Sequence, residues 1–262
     1  MATIKTATLE INHREDGAAD APALIFSNSL GADLSMWQAQ VDHFKNDYRI
    51  VRYDHRGHGG TAVPPGPYSF EDLSMDVVAL MDALGIERAH FVGLSMGGMT
   101  ALGLAIDHPD RLISATSCNC VAGYGPEGLK VWDERIAAIS ANGLEPLIET
   151  TISRWFTQPT IDSRASEMNA IRAMISATSV EGYLACCGAL KKLNYLDRLS
   201  TITTPTLFIA GTHDLGAPAA AMQDMHAQVS GSRYVELDAA HVSNIERPSE
   251  FNLALGDFLE SV

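Results

Sequence analysis

The chain has 262 residues, 46% of them hydrophobic and 19% charged. That suffices for one large α/β domain, or one domain with an insertion, and is too apolar for wholesale disorder. Its 18 basic and 32 acidic side chains leave a net charge of −14, which disfavours nucleic acid and anionic membranes as partners and obliges any anionic substrate to find local positive charge.

Strands and helices alternate along the chain. IKTATLEINHR and the apolar run ALIFSNS (23–29) suggest an antiparallel or mixed start. MWQAQVDHF (36–44) has helical spacing at Trp37, Val41 and Phe44, and YRIVRYD (48–54) reads as a strand. SFEDLSMDVVALMDALG (69–85) is an amphipathic helix with Ser69 as its cap, Asp72 in its first turn and Gly85 at its end. AHFVGLS (89–95) reads as a strand, MGGMTALGLAIDHP (96–109) as a helix ended by Pro109, and RLISATSCNC (111–120) as a strand again. From Gly123 to about Tyr195 the pattern is mostly helical, around KVWDERIAAIS, EPLIETTISRWF, SEMNAIRAMISA and EGYLACCGALKKL. Strand signals return at TPTLFIAGTHD (204–214), followed by helix PAAAMQDMHAQV, strand SRYVELDAAH and a closing helix, PSEFNLALGDFLESV.

Repeated βα units imply a mostly parallel sheet covered by helices on both faces. The long helical stretch fits a cap inserted after a strand end, above the sheet edge where such folds bind ligands. The expected division is a core of residues 1–122 and 196–262 and a helical cap of residues 123–195.

GLSMG (93–97) fits G-x-S-x-G and lies between an expected strand and an expected helix. In that context the turn holds Ser95 strained and exposed above the sheet, with small residues required at Gly93 and Gly97. Gly98 lets the helix pack close to neighbouring backbone. A phosphate loop would want a lysine that this stretch lacks. A serine nucleophile needs a base, and the base an acid, in the order Ser, acid, His. Asp214 stands where a strand runs out, and His241 follows the next βα unit. Asp238 is a rival acid and His213 a rival base. The oxyanion needs two backbone N–H donors. Met96 supplies one at the helix N-terminus, and Leu30, with Ser29 as the alternative, supplies the other from the loop after ALIFSNS.

Cys118-x-Cys120 on a strand points both thiols to one face, but no histidine or second pair stands at zinc-ligand spacing. With the adjacent Cys186 and Cys187, these read as buried reduced thiols, and neither metal nor cofactor is expected. No run of about 18 apolar residues is free of breakers, so no membrane span is expected. MATIKTATLEINHRED lacks an apolar signal core, which points to the cytoplasm. Nothing in these patterns sets an oligomeric state.

The order SNSLG…MW, YDHRGHGGT, GLSMGGMT, AGTHD and AAHVSNIERP resembles the α/β-hydrolase superfamily over nearly the whole chain. Within it the chain looks most like the 3-oxoadipate enol-lactonases of aromatic degradation. The closer signals are Ser-Asn-Ser in place of the usual His-Gly, RWFT (154–157), CCGAL (186–190) and HVSNIERP. The resemblance implies Ser95 as nucleophile, Asp214 as acid, His241 as base and Leu30 and Met96 as oxyanion donors. DHRGHG (54–59) is a family feature that reads as structural. GGT at 59–61 departs from the usual Gly-x-Ser, and Gly216 is unusual near the acid. The implied substrate is a small lactone bearing a carboxylate. Arg135 and Arg154, beside Trp132 and Trp155 in the cap, are candidates to bind it. The rival readings are a broad carboxylesterase or aryl esterase with perhydrolase side activity, and a slow-turnover ligand receptor on the same fold.

Overall fold

The computed structural model describes residues 2–262. Eight strands form one sheet in the order β1-β2-β4-β3-β5-β6-β7-β8. They are β1 (Ala2–Lys5), β2 (Glu10–Asp16), β3 (Ala23–Ser27), β4 (Arg49–Tyr53), β5 (Ala89–Leu94), β6 (Leu112–Cys118), β7 (Thr206–Gly211) and β8 (Arg233–Leu237). β1 and β2 pair antiparallel, as β2 does with β4, and every later pairing is parallel. The alternation of β and α segments dictates this, because a parallel neighbour needs a crossover, and helices supply it. The central strands β3, β5 and β7 are buried along their whole length, which is why they read as continuous apolar runs.

Helices cover both faces. α2 (Phe70–Ala83), α3 (Met96–Asp107) and α9 (Ala219–Gln228) close one core, with Leu73, Val77, Leu102, Leu104 and Met222 inside it. α1 (Gln38–Phe44) and α11 (Pro248–Leu259) close the other, around Trp37, Val41, Phe251 and Leu255. A 3₁₀ turn, Leu34–Trp37, precedes α1, so MWQAQVDHF is helical in two pieces. Between β6 and β7 lie α4 (Pro126–Asn142), α5 (Ile148–Trp155), α6 (Gln158–Ser163), α7 (Ala165–Ser176) and α8 (Val180–Lys191). Four of them pack as two pairs, α4 on α8 and α5 on α7, and the short α6 touches both α5 and α7. The ends of this stretch meet: Gly123 bridges Asn194, and the Tyr195 N–H donates to Ala122 O at 2.7 Å. A short helix, α10 (Ser243–Glu246), stands between β8 and α11. No single described helix is long and apolar enough to cross a membrane.

The expected cap of α2 is present as a reciprocal box. Ser69 Oγ accepts the Asp72 N–H at 3.1 Å, and the Asp72 carboxylate accepts the Ser69 N–H at 2.8 Å. Gly85, at φ +67°, ends the helix in the left-handed region. Ser69→Ala should therefore cost about 1 kcal/mol of stability, read as a lower urea midpoint at unchanged slope.

Candidate active site

The site begins with a close approach of backbones. A Cβ on Gly93 would lie 2.0 Å from Gly97 O, and one on Gly97 would lie 2.2 Å from Ser27 O. Only glycines let α3 start that near β5 and β3. Between them Ser95 takes φ 56°, ψ −114°, a conformation that costs about 1–3 kcal/mol and persists only where its surroundings impose it. Its N–H donates to Cys118 O at 2.8 Å, and its carbonyl accepts the Met99 N–H at 2.9 Å, fixing the turn from both sides. Gly98 packs against Cys118 O and the Cys120 side chain, so the reading of a close helix-to-strand contact holds.

Ser95 opens into a cavity of about 230 Å³. Asp214 and His241 line it too, brought there by the loops that follow β7 and β8. His241 Nδ1 donates to Asp214 Oδ2 at 2.8 Å, which puts the proton on Nδ1 and leaves Nε2 as the lone-pair nitrogen. Asp214 Oδ2 also accepts from Asn119 Nδ2 at 3.1 Å, and Oδ1 accepts the N–H groups of Gly216 (2.8 Å) and Ala217 (3.0 Å). Burial raises the Asp214 carboxyl, but the His241 charge and these hydrogen bonds outweigh it and hold the group below its usual value. No hydrogen bond joins Ser95 to His241 among the described residues, though both line the cavity. The rivals pair with one another instead: His213 Nε2 stands 2.8 Å from Asp238 Oδ1, at the surface, and neither lines the cavity.

Leu30 and Ser29 line the cavity; Met96, fully buried at the first position of α3, does not. Neither the Leu30 nor the Met96 N–H finds an acceptor among the described residues. The loop that carries Leu30 is held at several points. Gly97 N–H donates to Asn28 O at 3.0 Å, tying the loop to the elbow. The buried Asn28 side chain accepts from Trp37 Nε1 (3.0 Å) and donates to Tyr53 O (2.9 Å). Ser27 Oγ meets Tyr53 Oη at 2.8 Å and His55 Nε2 at 3.1 Å. From DHRGHG, Asp54 accepts the Leu34 N–H at 2.7 Å, and His58 Nε2 accepts the Gly31 N–H at 2.9 Å. Burial pushes His58 down to about 4, so its ring stays neutral and that acceptor stays available. DHRGHG thus brackets the loop, through His55 at Ser27 and Asn28 and through His58 and Asp54 at Gly31 and Leu34.

All four candidates from the helical stretch line the cavity: Trp132, Arg135, Arg154 and Trp155. Arg135 lies over the rings of Trp132 (5.7 Å) and Tyr183 (5.6 Å), and its Nη2 donates to Thr151 Oγ1 at 3.2 Å. Its Nε is buried without a partner. Neither Arg135 nor Arg154 is paired to a carboxylate among the described residues, and the lone acid lining the cavity, Asp214, is engaged with His241. The sequence reading missed Asn119, Tyr124, Thr151 and Tyr183. Asn119 had a signal: a polar residue at the end of an apolar strand, here fully buried at φ 49° with its side chain on Asp214.

A family profile described as the alpha/beta hydrolase fold matches residues 22–248. The chain belongs to the α/β hydrolases. Among them it is 38% identical over 253 residues to 3-oxoadipate enol-lactonase 2 of Acinetobacter baylyi, covering 97% of this chain and 94% of that one. It is also 38% identical over 258 residues to 3-oxoadipate enol-lactonase 1 of the same organism, covering 98% and 94%. The crystal structure of the enol-lactonase from Burkholderia xenovorans LB400 superposes with a TM-score of 0.95 at 40% identity, covering 99% of this chain and all of that one. The family resemblance read from the motifs therefore stands.

In this α/β hydrolase the depressed Asp214 carboxyl ties stability to acid. Its ionised form stabilises the fold above the unfolded value, about pH 3.9, and that contribution is lost as pH falls through the lower native value. Asp214→Asn should flatten this acid limb in urea unfolding between about pH 2 and 6. The same change should lower kcat by about 10³- to 10⁴-fold by upsetting the imidazole tautomer, measured in steady state at neutral pH.

Proposed function

We propose that this α/β hydrolase is a carboxylic-ester hydrolase that opens 3-oxoadipate enol-lactone to 3-oxoadipate, a step of the β-ketoadipate route of aromatic degradation. The observation that carries the reading is the pair of unneutralised arginines, Arg135 and Arg154, in the same cavity as Ser95. In a chain of net charge −14, most other arginines hold carboxylates, so two that do not are placed for an anion. A neutral-ester esterase would gain nothing from them. The small cavity suits a ring of this size better than a drug-sized ligand, whose pockets run to roughly 300–1,000 Å³.

In this reading Arg135 binds the substrate carboxylate, with Trp132, Trp155 and Arg154 bounding it. The bound lactone brings Ser95 and His241 into hydrogen-bond reach, a tightening common to catalytic pairs. His241 Nε2 takes the Ser95 proton as Oγ attacks the lactone carbonyl. The Leu30 and Met96 N–H groups stabilise the oxyanion, each worth about 2.7–4 kcal/mol. The tetrahedral intermediate collapses, the ring C–O bond breaks, and the enolate oxygen takes the proton from His241, which leaves the imidazole neutral for the second half of the reaction. Asp214 holds the imidazole tautomer and stabilises the imidazolium. Water, deprotonated by His241, then hydrolyses the acyl-enzyme and restores Ser95. The enol ketonises, which removes the nucleophile that could reclose the ring. No step draws on a cofactor.

We also propose that residues 123–195 act as a cap unit, which the bridged ends at Gly123 and Asn194 support. The four cysteines are free and buried, which suits the cytoplasm.

Ser95→Ala should abolish turnover of both a carboxylated enol-lactone and a neutral phenyl ester while leaving unfolding unchanged. Arg135→Met keeps apolar volume and deletes the charge. It should lower kcat/KM for the carboxylated lactone by about 10- to 100-fold and leave the neutral ester nearly unaffected. If neither Arg135→Met nor Arg154→Met shifts the charged-to-neutral preference in steady-state assays, the enol-lactonase reading fails.

A further inference from the structure

Glu246 is fully buried, yet it lies outside the cavity. It closes α10, shortly after His241. Its carboxylate is saturated with donors. Oε1 accepts the Thr157 N–H at 2.9 Å, the Thr157 hydroxyl, and the Thr160 hydroxyl at 2.6 Å. Oε2 accepts the Ala240 N–H at 2.7 Å. The two oxygens therefore grip two different parts of the chain. Thr157 stands two residues beyond the end of α5, which carries Arg154 and Trp155, and is the N-cap residue of α6, in which Thr160 lies. Ala240 is the residue before His241.

Neighbouring bonds run along the same seam. The Val242 N–H donates to Trp155 O at 3.1 Å. The Arg164 guanidinium donates to Ile245 O and to Glu246 O, both at 3.0 Å. Arg135 joins the arginine-bearing side through Thr151, which also belongs to α5. Two stretches that stood apart in the sequence, RWFT and HVSNIERP, thus meet at one carboxylate.

A buried anion is an exacting joint. Burial alone would raise the Glu246 carboxyl, but the donors from Thr157, Thr160 and Ala240 outweigh it and keep the group below its usual value. Sliding either segment would strip donors from a charge that water cannot reach, at a cost far above that of breaking a surface contact. The joint therefore fixes one relative placement of α5 and the His241 loop.

We propose that Glu246 is a positioning residue that holds the arginine-bearing helix α5 in register with the base His241, so that the carboxylate and the reacting carbonyl of one substrate are placed together. The inference rests on the reading of the cap arginines as the carboxylate site. Glu246 touches no reacting atom; it acts through Ala240 on one side and through Thr157 and Thr160 on the other. A carboxylate that served the fold alone would alter the unfolding temperature and leave the selectivity of the folded enzyme as it was.

The test is Glu246→Gln in the full chain, assayed on a carboxylated enol-lactone and on a neutral phenyl ester well below its unfolding midpoint. Glutamine keeps the shape but presents an NH₂ group where donors already converge. kcat on the neutral ester should fall by about 10- to 100-fold, as expected for a base displaced by about 1 Å. The preference for the charged lactone should fall by a further ~5-fold or more, chiefly through KM. A folded Glu246→Gln enzyme with both quantities within about twofold of the parent would overturn the proposal. So would a loss of kcat with the preference intact, since Glu246 would then hold only the base loop. If Glu246→Gln does not fold, Thr160→Val removes one donor on the α5 side alone; it should lower the preference by about 3- to 10-fold, and an unchanged preference overturns the proposal. A parent enzyme that shows no preference for the charged lactone refutes the carboxylate clamp itself, and kcat of the Glu246 variant on the neutral ester then decides whether Glu246 places the base.

Discussion

The contact between the start of α3 and the strands beneath it governs the site. Gly93 and Gly97 leave room for backbone to touch backbone, and that proximity has three effects at once. It bends the chain at Ser95 into a conformation an ordinary turn would not hold. It leaves the Met96 N–H at the free, positive end of a helix. Through the Gly97 N–H on Asn28 O, it also sets the height of the loop that carries Leu30. The Ser95 hydroxyl and the Met96 and Leu30 N–H groups are thus referred to one origin. The strain at Ser95 is offset by α3, which is buried from Met96 to Ala105 and loses more by shifting than the turn would gain by relaxing.

Electrostatics at the other wall of the cavity follow a different logic. A carboxylate would hold Arg135 in place and cancel its charge. The faces of Trp132 and Tyr183 hold it and leave the charge intact, because a ring quadrupole attracts a cation without neutralising it. The guanidinium is thereby oriented in advance and remains available to an anion, inside walls where its field is less screened than in water. The acidic exterior makes this local reversal of sign the more selective, since an anion gains little anywhere else on the molecule.

Much of this was legible in the sequence, and what was not has a common cause. Strand and helix periodicity, the Ser69 cap and the glycines around Ser95 are properties of one element each, and all of them stand in the structure. Short motifs with a mechanism brought Ser95, Asp214 and His241 into one cavity. Choosing between Asp214 and Asp238 was harder, because closeness in sequence to a histidine is not closeness in space; Asp238 turns out to serve His213 at the surface. The pairing of α4 with α8 and of α5 with α7 leaves no trace in any single amphipathic pattern. Asn119 and Glu246 were invisible as partners for the same reason. Each meets a carboxylate or a hydroxyl some 90 positions away in the chain, Asn119 with Asp214 at a separation of 95 and Glu246 with Thr157 at 89.

The meeting of Gly123 with Asn194 has a consequence of its own. A segment whose exit and return are clasped together occupies a fixed doorway in the host fold, whatever its contents. Lengthening it changes the closure entropy only logarithmically, by about 0.6 kcal/mol per doubling. Such a segment can be traded, trimmed or enlarged over generations while the sheet below keeps its register. Arg135 and Arg154 lie on that segment, whereas Ser95, Asp214 and His241 lie outside it.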